Sequence, residues 1–212
     1  MTAALPPFVG VIAAAGASSR MGRPKALLPH PAGGTFVEHL ARQFLDAGCQ
    51  RLFVSLPDDV EDALTITMKV LSLPVDADVN VACGPNQHMQ QGLMGTVWTV
   101  LDAADLEVPL VLAPVDLPVA PVAIVQALVT TCTAGAAVVE VDVDGVPTRG
   151  HPVAFAPSTA ELLRTQTDGG PRAALQTLEA AGRVAVVRGE DARSTWNMNT
   201  PADHQQVLDS FS

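Results

Sequence analysis

The chain has 212 residues, the upper end of what one hydrophobic core organises, so a single domain over residues 1–212 is expected. Apolar residues make up 48% of it, alongside 16 Gly and 17 Pro, a composition that packs and excludes extended disorder. A formal charge of −10 excludes a broad nucleic-acid footprint, yet Arg20, Arg23 and Lys25 crowd within six residues of a chain holding only 12 basic ones.

The first element is an apolar run over 8–13 that ends in small residues and reads as a strand. A helix follows over 35–47, with Phe36, Val37, Leu40 and Phe44 at helical spacing, Thr35 and Glu38 as a capping box, and Gly48 as its stop. Strand 52–56 completes a β-loop-α-β opening. The alternation continues with helix 58–71, strand 79–82, helix 87–101, strand 110–113, helix 121–129 and strand 136–141. Stretch 142–148 reads as a turn in an antiparallel or edge element. A strand near 153–155, helices near 158–164 and 171–180, strand 184–187 and a terminal helix over 201–208 close the chain. Strands separated by helices predict an α/β protein whose mainly parallel sheet is covered on both faces, with ligands at the carboxyl ends of the strands.

Cys49, Cys83 and Cys132 are odd in number and far apart, which indicates neither a disulfide framework nor a zinc site and fits a reducing cytoplasm. Residues 1–10 lack the basic start of a signal peptide. Residues 117–139 carry no charge, but Pro118, Pro121, Gly135 and the polar run 130–133 make them a helix and a strand, not a membrane span.

Directly after the first strand come Ala14, Ala15, Gly16, Ala17, Ser18, Ser19, Arg20, Met21, Gly22, Arg23, Pro24 and Lys25. Small side chains let backbone N–H groups approach a phosphate chain, the serines can donate, and Arg20 and Lys25 can neutralise a transferring phosphoryl group. Five residues separate Gly16 from Gly22 and Arg23 follows, so this is no P-loop, and no G-x-G-x-x-G fingerprint is present. The plainer alternative is a tight turn with surface cations.

The segment resembles the molybdopterin nucleotidyltransferases, whose signature is approximately L-A-A-G-x-S-x-R-M-G-x-x-K, with only the leading leucine changed, to Ala13. Asp116-Leu117-Pro118, Arg149-Gly150-His151-Pro152, Asp168-Gly169-Gly170-Pro171-Arg172 and Asn197-Met198-Asn199-Thr200-Pro201 extend the likeness over nearly the whole chain. It implies a three-layer α/β/α Rossmann-like nucleotidyltransferase fold, residues 5–115 as the nucleotide-binding half and 116–212 as the half for metal and acceptor. It implies nucleoside monophosphate transfer from an NTP, with CMP from CTP favoured, to the terminal phosphate of molybdopterin with release of pyrophosphate, with Mg²⁺, or Mn²⁺ in its place, and transient contact with a molybdoenzyme or its chaperone.

Lys25 is thereby assigned to the α-phosphate, Arg20 to the β- and γ-phosphates, and Asp116 and Asn199 to the metal. Gly150, His151 and Arg172 are candidates for the acceptor. Asp116 has a competing reading as a helix cap, as has Asn199, and His151 as a solvated turn residue. Ala14-Ala15-Gly16, the Arg23-Pro24-Lys25 spacing and Gly150-His151-Pro152 resemble the CTP-using branch, whereas Asn199 is commoner in the GTP branch. Gly95 stands where cytidylyltransferases carry the first serine of G-x-x-S-S, which keeps other acceptors open: a sugar phosphate, phosphocholine or phospholactate. A binding or chaperone module without turnover is the remaining alternative.

Overall fold

A computed structural model of the chain describes residues 6–16, 21–75, 79–88, 91–103 and 105–211. The strands β1 (Phe8–Ala13), β2 (Cys49–Leu56), β3 (Asn80–Pro85), β4 (Leu110–Pro114), β5 (Ala136–Val143), β6 (Val146–Phe155) and β7 (Val184–Arg188) form one sheet in the order β3-β2-β1-β4-β6-β5-β7. β6 pairs antiparallel with both β4 and β5, and the other pairings are parallel. The mixed, mostly parallel sheet of a Rossmann-like α/β fold is thus present.

The helices are α1 (Phe36–Asp46), α2 (Val60–Leu71), α3 (Gly92–Ala103), α4 (Val122–Thr131), α5 (Ala160–Thr165), α6 (Gly170–Ala180) and α7 (Pro201–Asp209). Because side chains alternate along a strand, β1 sends Phe8 and Ile12 to one face and Val9 and Val11 to the other. The first pair joins Val37, Leu40 and Phe44 of α1, Ile66 of α2 and Leu128 of α4; the second joins Met94 and Val97 of α3, Leu163 of α5 and Leu178 of α6. Two apolar layers therefore sandwich the sheet. A third, smaller cluster of Leu28, Phe36, Met198 and Val207 seats α7 against the segment that follows β1.

The helix starts follow local chemistry. The Thr35 N–H donates to Glu38 Oε2 at 2.8 Å, and Asp59 accepts from the Asp62 N–H at 2.9 Å at the head of α2. Two elements depart from expectation. Only Asp144 and Gly145, both with positive φ, form the turn between β5 and β6, and β6 begins at Val146 rather than near 153. Its outer part, Val146 to His151, is polar or exposed, so no apolar alternation announces it. Helix α3 starts at Gly92, not 87, because Asn86 to His88 fold back on the helix, with Asn86 Nδ2 donating to Gly92 O. Residues 117–139 are α4 and the start of β5, and among the described residues no helix is long and apolar enough to cross a membrane.

Candidate active site

The chain runs from β1 outward to β2 and β3, then returns to place β4 on the other side of β1. Such a reversal opens a crevice beyond the carboxyl ends of the two central strands. Ala14 to Gly16 leave β1 on one side of it, and Val115 and Asp116 leave β4 on the other, joined by the Val115 N–H donating to Ala13 O at 3.1 Å.

The start of the small-residue loop is held from beneath. Ser55, fully buried at the end of β2 and in register with Ala13, accepts at Oγ from the N–H of Ala14 (3.0 Å) and Ala15 (3.3 Å). Those two amides, expected from sequence to face a phosphate chain, are satisfied within the protein. Ala17, Ser18, Ser19 and Arg20 lie outside the described residues. Met21 packs against the cluster under α7, and Gly22 takes a φ of 70°, the left-handed turn that glycine permits.

Lys25 opens a single 3₁₀ turn, Lys25–Leu27, and its ammonium lies 2.5 Å from Asp116 Oδ2 and 3.0 Å from Asn199 Oδ1. Residues from three of the five segments that carry the likeness therefore meet at one point. The Lys25 and Asp116 side chains are only 16% and 12% exposed, so removing either leaves a charge with little access to water. The capping alternatives are answered by the same contacts. Thr200, with Asp203, caps α7, and the Asn199 side chain turns to Lys25 instead. No side chain caps α4, whose N-cap is Pro121. A carboxylate and an amide carbonyl that converge on one positive group are hard oxygen donors, the kind that Mg²⁺ and Mn²⁺ accept. Among the described residues no group of three or more His, Cys, Asp or Glu is arranged to hold a metal.

Gly150 and His151 lie within β6, not in a solvated turn. A Cβ at Gly150 would stand 2.4 Å from Ser194 O, so this glycine lets the segment before α7 pass directly against the strand. The His151 Nδ1 is buried without a hydrogen-bond partner among the described residues. Burial pushes its imidazolium below the ordinary range, while the Asp116 carboxylate pulls it the other way. Arg172 is exposed in the first turn of α6 and makes no ion pair with a described residue.

The protein-family model of the MobA-like NTP transferase domain matches residues 10–195. The chain belongs to this family. A probable molybdenum cofactor guanylyltransferase of Rhodopirellula baltica is 40% identical over 114 residues, 50% of this chain and 53% of that protein, so the chain spans about half the length of that relative. A protein of the same description from Mycobacterium tuberculosis is 30% identical over 200 residues, 92% of this chain and 90% of the relative. Among solved structures, a nucleotidyl transferase from Methanothermobacter superposes with a TM-score of 0.75 at 22% identity over 96% of this chain and 97% of that one. A Mycobacterium tuberculosis protein in complex with manganese gives 0.64 at 20% identity over 95% and 97%. These two likenesses speak to the fold alone.

Within this MobA-like domain, the glycine at position 95 has a steric cause. A Cβ there would sit 2.1 Å from His88 O and 2.9 Å from Asn86 Oδ1, because the loop before α3 lies on the helix at that point. Asn86, 5% exposed, fixes the loop: its Nδ2 donates to Gly92 O at 3.1 Å and Thr96 Oγ1 at 3.3 Å, and its Oδ1 accepts from the His88 N–H at 3.0 Å. Thr96 in turn donates to Ser55 Oγ at 3.3 Å. A buried polar chain thus runs from Asn86 through Thr96 and Ser55 to the amides that open the small-residue loop, and sequence reasoning had singled out none of the three as site residues.

Proposed function

We propose that this nucleotidyltransferase moves a nucleoside monophosphate from an NTP to the terminal phosphate of molybdopterin and releases pyrophosphate. The observation that carries the reading is the meeting of Lys25, Asp116 and Asn199 at the switch between β1 and β4, beside the small-residue loop. The acceptor is already anionic near neutral pH, so the transfer needs charge relief more than a general base. One of its oxygens forms the new bond to the α-phosphorus, and the bond from that phosphorus to the bridging oxygen of the leaving pyrophosphate breaks.

In this reading Lys25 neutralises the α-phosphate, Arg20 the β- and γ-phosphates, and the loop over Gly16–Lys25 approaches the phosphate chain with its backbone. Asp116 and Asn199 hold Mg²⁺ or Mn²⁺, which when bound supplies charge neutralisation to the phosphates. His151, kept neutral by burial, together with Gly150 and Arg172 borders the acceptor. One domain carries both substrate sites.

GTP is the nucleotide we favour, because relatives 40% and 30% identical are described as guanylyltransferases and Asn199 matches that branch. CTP is the second reading, motivated by Ala14-Ala15-Gly16 and Gly150-His151-Pro152. The test is a matrix of GTP, CTP, ATP and UTP against molybdopterin, a sugar phosphate, phosphocholine and phospholactate with Mg²⁺, scored by product mass. Molybdopterin guanine dinucleotide as the main product is expected. The cytosine dinucleotide assigns the other base, a different acceptor replaces molybdopterin, and NTP binding without any product makes the chain a binding module.

A further inference from the structure

Lys25, Asp116 and Asn199 arrive from distant parts of the chain, and two histidines join the segments that carry them. His30, five residues after Lys25, is 4% exposed. Its Nδ1 accepts from the Ala32 N–H at 3.1 Å, so the ring proton sits on Nε2, which donates to Pro118 O at 2.9 Å. Pro118 is two residues past Asp116, so this bond pins the loop after β4 to the segment bearing Lys25. The backbone of that segment is itself a closed turn, with the His30 N–H donating to Gly34 O at 3.0 Å and Pro29 bridged to Thr35. On its other side His204 Nε2 donates to Pro29 O at 3.0 Å, tying α7, and Asn199 just before it, to the same turn. The His30 ring is locked in place, stacked on His39 with centroids 3.6 Å apart and edge-on to Phe36 and Phe211.

We infer that His30 is a positioning residue which, through the Pro118 carbonyl, sets the placement of Asp116 against Lys25, and that His204 does the same for Asn199 through the Pro29 carbonyl. The kinetic consequence rests on the Lys25 cluster being the transfer site; the geometric one does not.

The test compares His30→Gln with His30→Asn. The Gln amide nitrogen reaches as far as imidazole Nε2 and can donate to Pro118 O, whereas Asn can accept from Ala32 but stops short of Pro118. Both lose the ring, so their difference isolates the Pro118 bond from packing. Crystal structures without ligand are expected to keep the Lys25–Asp116 contact in H30Q and to show it opened by about 1 Å in H30N, a displacement that costs about tenfold or more in kcat. With GTP or CTP, Mg²⁺ and molybdopterin, kcat should fall so in H30N and hold near wild type in H30Q, with the nucleotide KM little changed in either. If neither variant folds, His204→Phe decides: it keeps a ring against Phe36 on a partly exposed helix and removes the donor, and Asn199 is expected to leave Lys25. The inference is overturned if H30N keeps both contact and rate, if H30N and H30Q fall alike, or if H204F leaves Asn199 in place. A wild-type chain without turnover refutes the proposed function instead, and the structures still decide the role of the histidines.

Discussion

Replacing Ser55 by alanine removes one fully buried oxygen and leaves its three hydrogen-bonding partners without it. The Ala14 N–H, itself buried, loses its acceptor at 3.0 Å, a loss that costs about 1–3 kcal/mol when nothing replaces it. Ala15 is partly exposed and can turn to water, but the buried Thr96 hydroxyl, which keeps Asn86 only as a donor, also loses the acceptor of its own O–H and adds to the cost. A net loss of about 2 kcal/mol is expected, which lowers the melting midpoint of a chain this long by about 4–8 °C. Since Ala14 and Ala15 open the loop proposed to approach the phosphates, kcat/KM for the nucleotide should also fall, by about tenfold. Thermal and urea unfolding beside pyrophosphate release measure both. A stability change below about 0.5 kcal/mol, the range of an ordinary surface substitution, would show that Ser55 does not hold the loop.

Gly95→Ala should cost about 1–3 kcal/mol in urea unfolding, because the new Cβ meets His88 O at 2.1 Å and the loop must move; Gly95→Ser should behave likewise, without gaining CTP use. Acid should weaken the fold through His39. Burial above all, then His30 and Arg42, hold its pKa down to about 4 against an ordinary 6.5, so the unfolded chain takes up a proton there that the folded chain refuses. This contribution is complete above about 6.5, declines as pH falls and is gone below about 4, to a total of about 1–2 kcal/mol after allowance for solvent screening of the half-buried ring. His39→Met should flatten the dependence of unfolding free energy on pH in that window, and an unchanged slope would count against it. Asp116→Asn and Lys25→Met should each reduce pyrophosphate release by about a hundredfold or more with circular dichroism unaltered. Rates like those of the wild type in either would move the reaction centre elsewhere.

What was legible in the sequence is what short-range patterns encode. The alternation of Phe8, Val9, Val11 and Ile12 gives a strand buried on both faces, and Thr35, Glu38 and Gly48 bound α1 because capping is decided within four residues. The Lys25 segment stands out by its small residues and clustered cations and Asp116 by ending an apolar strand, whereas Asn199 is singled out only by the resemblance to the family. That their side chains converge is a tertiary fact. Ser55, Asn86 and His30 were illegible for a related reason: Ser55 and His30 are lone polar residues in stretches with other business, and Asn86 is one polar residue among several before α3. The Ser55 and His30 partners lie 41 and 88 residues away, and only the fold brings them within reach. The outer half of the β5–β6 hairpin escaped because its pairs, such as Glu140 with Arg149 and Asp142 with Pro147, are held by register rather than by a buried face. In that stretch a signal existed in Asp144-Gly145, the turn pair that allows positive φ at both positions.

The central claim is that Lys25, Asp116 and Asn199 form the centre at which a triphosphate and a divalent ion meet. A crystal grown with Mn²⁺ and a non-hydrolysable GTP or CTP analogue tests it through the anomalous signal of the metal. The account predicts that the metal peak is bonded to Asp116 and Asn199, that the phosphates lie along the loop from Gly16 to Lys25, and that the Lys25 ammonium has turned to the α-phosphate. Nucleotide and metal bound away from these residues, with the Lys25–Asp116 pair intact, would contradict it.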